Sequence, residues 1–184
     1  MVRPAKGSVL LFGQGLDYSR IAHQRLSIGY VVQHTGLFPH LTIQRNITLL
    51  GQIVGLPKLQ LEQRLNQLMG MAQLPTSLLT RFPHQLSGGE QQRVGICRAL
   101  LLNPPILLMD EPFASLDGTT KQAIFSYIRT LQAVEPRTII WVTHDWDEAE
   151  NFCDRFVLLD KGKSPVQGQR DELQSFRATN SIRL

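Results

Sequence analysis

The chain has 184 residues, 42% of them hydrophobic, enough to bury the core of one domain or of one domain with a small inserted lobe. Its net charge of +4 comes from 19 Lys and Arg interleaved with 15 Asp and Glu, without the clustered basic face that nucleic-acid binding shows, so no nucleic-acid partner is expected. No apolar run approaches the roughly 18 residues of a membrane span, and Cys97 and Cys153 form no close metal or redox pair, which fits reduced thiols in the cytoplasm.

From the N-terminus, Val9 to Phe12 reads as a short strand closed by a turn at Gly13-Gln14-Gly15. Tyr30 to Gln33 reads as a buried strand, and from Ile43 the pattern changes. Leu61, Leu65, Leu68, Met69 and Ala72 recur at helical spacing, Pro57, Pro75 and Pro83 punctuate the stretch, and Asn103-Pro104-Pro105 closes it. We expect a mostly helical lobe over residues 43–102, inserted into a sheet domain. Ile106 to Met109 and Thr138 to Thr143 read as two further buried strands. Each of the three is followed by polar or turn residues rather than by a mirror-image strand, so the expectation is an α/β fold with a mostly parallel sheet. Between the last two, Ile124, Tyr127, Ile128 and Leu131 form the apolar stripe of a crossover helix. Asp145 is placed to cap another helix, with Asp147 and Glu148 in its first turn.

Chemistry concentrates at three places. In Leu86-Ser87-Gly88-Gly89-Glu90, Ser87 and Glu90 have capping-box spacing and the two glycines leave amides uncovered, so this helix start could receive phosphate oxygens; an ordinary capped helix reads the same way. The strand Ile106 to Met109 ends in Asp110 and Glu111. The first can hold Mg2+ through its water shell and the second can polarise a water, although a strand ending in a charged turn is common. Ser115-Leu116-Asp117 follows, and Gln33 and His144 end the other two strands, so polar groups could gather at the carboxyl edge of the sheet.

Taken in order, these segments resemble the ATP-binding-cassette (ABC) ATPases. Leu86 to Glu90 is similar to their signature motif, Ile106 to Glu111 to the Walker B strand and Ser115-Leu116-Asp117 to the D-loop. Gln33 is similar to the Q-loop glutamine and His144 to the switch histidine. The resemblance implies a P-loop NTPase-like nucleotide-binding domain that uses ATP and Mg2+. It implies Glu111 as general base and His144 as a brace for the γ-phosphate. Asp110 and Gln33 would attend the metal, and Ser87, Gly88, Gly89, Glu90 and Asp117 the nucleotide. It also implies a second ATP-binding subunit, since Ser87 to Gly89 would close on the nucleotide of a partner. A permease would receive Leu37-Phe38-Pro39-His40 near its coupling helix at the cytoplasmic face of the membrane, with a solute-binding protein engaged indirectly. The stretches Ile28 to Ile43, Arg81 to Gly89 and His144 to Ala149 resemble importers of glycine betaine, choline or carnitine. Importers of methionine or other amino acids are the alternative.

One motif of the family is not found. No G-x-x-x-x-G-K-S/T occurs; Gly162-Lys163-Ser164 imitates its end but reads as a hairpin turn between strands. Pro4 to Gly13 resembles the stretch that follows the family's phosphate-loop helix. The expectation is therefore an incomplete domain over residues 1–184 that begins too late, lacks the Walker A strand and helix, and neither binds ATP tightly nor hydrolyses it alone. The rival classes are a non-catalytic protein that docks on a permease or partner ATPase, and a soluble cassette ATPase of DNA repair or translation.

Overall fold

The computed structural model describes residues 3–33, 35–113, 116–160 and 162–180 and divides into two compact units, Met1–Ile140 and Trp141–Leu184. In the first unit, β1 (Leu10–Leu11) and β2 (Gln14–Gly15) pair antiparallel. Phe12 and Gly13 between them have φ of 52° and 76°, the left-handed pair a two-residue hairpin turn needs. α1 (Ile21–Gln24) and a 3-10 turn (Arg25–Ser27) lead into β3 (Ile28–Val31). The expectation of a fold that opens without a strand-and-helix unit is thereby corrected: residues 10–24 form an ordered β–β–α unit ahead of β3.

β4 (Ile106–Asp110) runs parallel to β3, with Ile28 opposite Ile106 and Val31 opposite Met109, and β5 (Thr138–Val142) follows in the order β3-β4-β5. The two other sheets of the described residues are antiparallel hairpins, so the sheet content is mixed rather than mostly parallel. β5 was expected to be buried; its residues alternate, with Ile140 at 49% and Val142 at 53% exposure, as befits a strand at the end of its sheet. Gly29 sits where the helix Gly88–Leu100 crosses β3. A Cβ there would lie 2.5 Å from the carbonyl oxygen of Ala99, so only glycine admits this approach.

Between β3 and β4 the chain is helical: α2 (Ile43–Ile53), α3 (Lys58–Met71) and α4 (Gly88–Leu100), with 3-10 turns at Thr76–Thr80 and Pro83–Gln85. Pro57 and Pro75 immediately precede helical segments and Pro83 begins one, where a missing N–H costs nothing. The apolar stripe Leu61, Leu65, Leu68, Met69 and Ala72 is buried, as is Ile124, Tyr127, Ile128 and Leu131 on α5 (Gly118–Val134). Each such side chain contributes roughly 1.5–3 kcal/mol. Glu135, just past α5, ties this unit together. It accepts from Arg64 of α3 over 2.9 Å and from Arg137 over 2.8 Å, while Arg137 also donates to Asn103 and Pro104 ahead of β4.

The second unit holds α6 (Trp146–Phe152), β6 (Arg155–Leu158), β7 (Val166–Gln169) and α7 (Arg170–Asn180). Asp145 caps α6 by accepting from the amides of Asp147 and Glu148. Glu148 is buried, where it accepts from Thr143 over 2.7 Å. No helix of the described residues is long and apolar enough to cross a membrane.

Candidate functional site

Polar side chains meet at the carboxyl ends of β3 and β4. Tyr30 stands opposite Leu108, and Asp110, two residues further along, shares its face; the Tyr30 hydroxyl donates to Asp110 Oδ2 over 3.2 Å. Desolvation of the phenol and then the Asp110 carboxylate raise the Tyr30 pKa, which keeps it protonated as the donor. Gln33 was expected to end a strand, yet β3 stops at Val31 and Gln33 follows in the turn. From there its Nε2 donates to Glu111 Oε2 over 2.8 Å. Glu111 adopts φ 42°, a left-handed conformation that costs a non-glycine residue about 1–2 kcal/mol, and this turns the chain sharply after β4.

The second cluster is the start of α4. Ser87 Oγ accepts from the Glu90 amide, and Glu90 Oε2 accepts from the Ser87 amide over 2.8 Å, a reciprocal capping box. Ser87 and Gly88 are exposed. Gly89 packs against Thr120 of α5, and a Cβ at Gly89 would overlap Thr120 Cγ2. Thr120 is held in turn by Asp117, which caps α5 and accepts from both the Thr120 amide and hydroxyl. These bonds hold the Asp117 carboxyl below its ordinary pKa. Asp117 was expected at the nucleotide; the contacts described give it a capping role. Ser115 lies outside the described residues.

The structure thus joins Gln33, Asp110 and Glu111 in one cluster and Ser87 to Glu90 with Asp117, through Thr120, in another. His144 belongs to the second unit, immediately before Asp145, and is exposed there. Gly162 and Lys163 lie in the turn between β6 and β7, where Gly162 has φ 79° and Lys163 pairs with Asp160 over 2.6 Å. Three contributors escaped the sequence reading: Tyr30, Asn46 and Arg98. Asn46 is fully buried; its Oδ1 accepts from the Phe38 amide over 2.7 Å and its Nδ2 is shared among the carbonyls of Phe38, Leu41 and Thr42. A polar residue among the buried positions of α2 was the available signal.

Among the described residues no group of three or more His, Cys, Asp or Glu could cage a metal. Mg2+ does not need one, because it keeps most of its waters and binds through one or two carboxylates and substrate phosphates. Asp110 offers such a carboxylate, and the amide of Gln33 lies beside the neighbouring Glu111. The donor set fits a solvated Mg2+ bound with a phosphate ligand.

The family described as ABC transporter matches residues 1–114. The chain belongs to the ABC transporter family. By family and fold it classes with the ABC-type ATPases. It superposes on the dimeric ATP-binding cassette MJ0796 bound to ADP and Pi with a TM-score of 0.79 and 32% identity, covering 92% of this chain and 75% of that one. The glycine betaine/carnitine/choline transport ATP-binding protein OpuCA of Bacillus subtilis (strain 168) is 39% identical over 173 residues, 94% of this chain and 46% of that protein. The sulfate/thiosulfate import ATP-binding protein CysA of Thermosynechococcus vestitus is 36% identical over 176 residues, 96% of this chain and 52% of that protein. The chain spans about half the length of the curated relatives it matches. The β1–β2–α1 unit over residues 10–24 corrects the expectation of an ABC domain without its N-terminal strand and helix.

Proposed function

We propose that this chain is the ATP-hydrolysing subunit that energises an importer of osmoprotectants such as glycine betaine, choline or carnitine. The hydrogen bond from Gln33 to Glu111 at the ends of β3 and β4 carries the chemical reading, because it places an amide that can orient water beside a carboxylate that can take its proton. Glu111 acts as the base and His144 braces the γ-phosphate. Mg2+, held by Asp110 with Gln33 at its water shell, would neutralise charge on the phosphates. Ser87, Gly88 and Gly89, with Glu90 capping their helix, face the nucleotide of a second ATP-binding subunit. The MJ0796 dimer supports that arrangement.

The likeness to OpuCA supports osmoprotectants as the solute, and it implies permease and solute-binding partners at the cytoplasmic face of the membrane. Sulfate, methionine and other amino acids are the competing solutes. Uptake of labelled glycine betaine, choline, sulfate and methionine into proteoliposomes holding the assembled transporter separates them; sulfate or methionine transport alone would overturn the osmoprotectant reading.

The isolated chain is proposed to hold Mg-ATP weakly and to turn it over only in a paired assembly, because Ser87 to Gly89 would complete the nucleotide site of a partner. Micromolar affinity for the isolated chain in calorimetric titration would defeat this statement. A docking protein without turnover is the second reading, and an assembled transporter with no ATPase activity would establish it.

A further inference from the structure

His144 is exposed, yet both of its neighbours in the chain are bound to one buried residue, Glu148. Thr143, before it, donates its hydroxyl to Glu148 Oε2 over 2.7 Å. Asp145, after it, accepts at Oδ1 from the amide of Glu148 over 3.4 Å and from that of Asp147 over 2.9 Å. The two neighbours are also joined directly, because the Asp145 amide donates to Thr143 Oγ1 over 3.0 Å. Thr143 thus gives and receives at a single oxygen, and Thr143, Asp145 and Glu148 close a ring of hydrogen bonds around the backbone of His144. Glu148 is fixed in its turn: Trp141 Nε1 donates to the same Oε2 over 3.3 Å, and the Trp141 ring stacks on Phe152 at the end of α6 with centroids 5.4 Å apart. A buried carboxyl group loses much by giving up such bonds, so the ring resists exchange with water.

We propose that Glu148, acting through the Thr143 hydroxyl, is a positioning residue that fixes the direction in which the His144 imidazole leaves the chain. A polar group whose backbone is already bound on both sides needs no ordering when a phosphate arrives. A methyl in place of the Thr143 hydroxyl breaks the bonds to Glu148 and to the Asp145 amide together, and the backbone that carries His144 is then free to turn. The inference deepens the proposed role of His144 and rests on it for its meaning in turnover.

The test reads the imidazole Cε1–H signal of His144 by NMR in the full 184-residue chain, the signal being identified by its loss in His144→Gln. Thr143→Val and Glu148→Met remove the two ends of one bond at nearly constant volume and are expected to move the signal to a common position. Glu148→Gln keeps an acceptor and is expected to place it between; it serves alone if Glu148→Met does not fold. Thr143→Ser keeps the hydroxyl and is expected to leave the wild-type signal. Arg177→Ala loosens α6 elsewhere, through Asp147 and Glu150, and is expected to do the same. A wild-type signal in Thr143→Val or in the Glu148 variants, or an equal shift in Thr143→Ser or Arg177→Ala, would overturn the proposal. In the assembled ATPase, Thr143→Val should lower kcat by about 10-fold or more with KM nearly unchanged, and Thr143→Ser should restore it. Failure of His144 as the brace would appear instead as wild-type turnover in His144→Gln and leave the NMR outcome intact.

Discussion

The amide of Gln33 and the carboxylate of Glu111 meet over 2.8 Å, although 78 residues of chain separate them. The parallel pairing of Val31 with Met109 makes this possible, because it sets the two residues at equal distance beyond matched strand positions. Glu111→Gln keeps the size of the side chain and its capacity to accept from Gln33, but removes the proton acceptor. In the assembled ATPase, nucleotide binding should persist while single-turnover hydrolysis falls by about 10²-fold or more. Hydrolysis at the wild-type rate would remove Glu111 from the role of base.

Gly89→Ala should destabilise the fold by about 1–3 kcal/mol, because its methyl overlaps Thr120 Cγ2 and Asp117 holds that threonine in place. Thr120→Ser deletes the obstructing methyl and keeps the hydroxyl bonded to Asp117. Denaturant unfolding of the single and double variants should show the double variant recovering most of the loss. Additive losses would mean that this contact is not the cause.

Glu135 sits between Arg64 and Arg137, and hydrogen bonding from Arg64 is the foremost cause holding its carboxyl below the ordinary 4.5. A depressed folded value means that the group stabilises the fold above its unfolded pKa and that this stability is lost as pH falls through the folded value. Glu135→Gln removes the charge that faces Arg64 and Arg137 while Arg137 keeps its bonds to Asn103 and Pro104, and it should cost about 1–3 kcal/mol near neutral pH. Unfolding curves between pH 7 and pH 3 should show the gap to wild type narrowing on the acid side; a pH-independent gap contradicts the ionic origin.

Burial pushes the Cys97 thiol up to about 12, and it lies among Leu68, Tyr127 and the interior of α4. At pH 8 in the native chain, a thiol reagent should therefore spare Cys97 and reach at most the half-buried Cys153. Mass spectrometry should find Cys97 labelled only after unfolding, and native labelling would show that α4 opens.

Local chemistry was readable in the sequence where it acts over a few residues. The Ser87–Glu90 box, the Asp145 cap and the stripe on α5 need only their own neighbours, and all formed. The bonds of Tyr30 to Asp110 and of Arg98 to Thr35 span 80 and 63 residues, and no periodicity records such pairings. At the N-terminus, a phosphate-binding motif was taken as the mark of a strand-and-helix unit. The motif reports phosphate chemistry, whereas the β1–β2–α1 unit needs only a left-handed turn at Phe12-Gly13 and one turn of helix. β3 begins two residues before the expected Tyr30 and includes Gly29, whose missing side chain is what lets α4 lie on the strand.

Gly29 acts as a key for strand alignment. If β3 slid by one residue along β4, Ile28 or Tyr30 would arrive beneath Ala99, where not even a methyl group fits, and every inward side chain would face out. Misaligned pairings are therefore rejected by collision as well as by lost burial. Because Gln33 and Glu111 are counted from the same aligned rungs, a contact made at the far end of the strand keeps the spacing of the site.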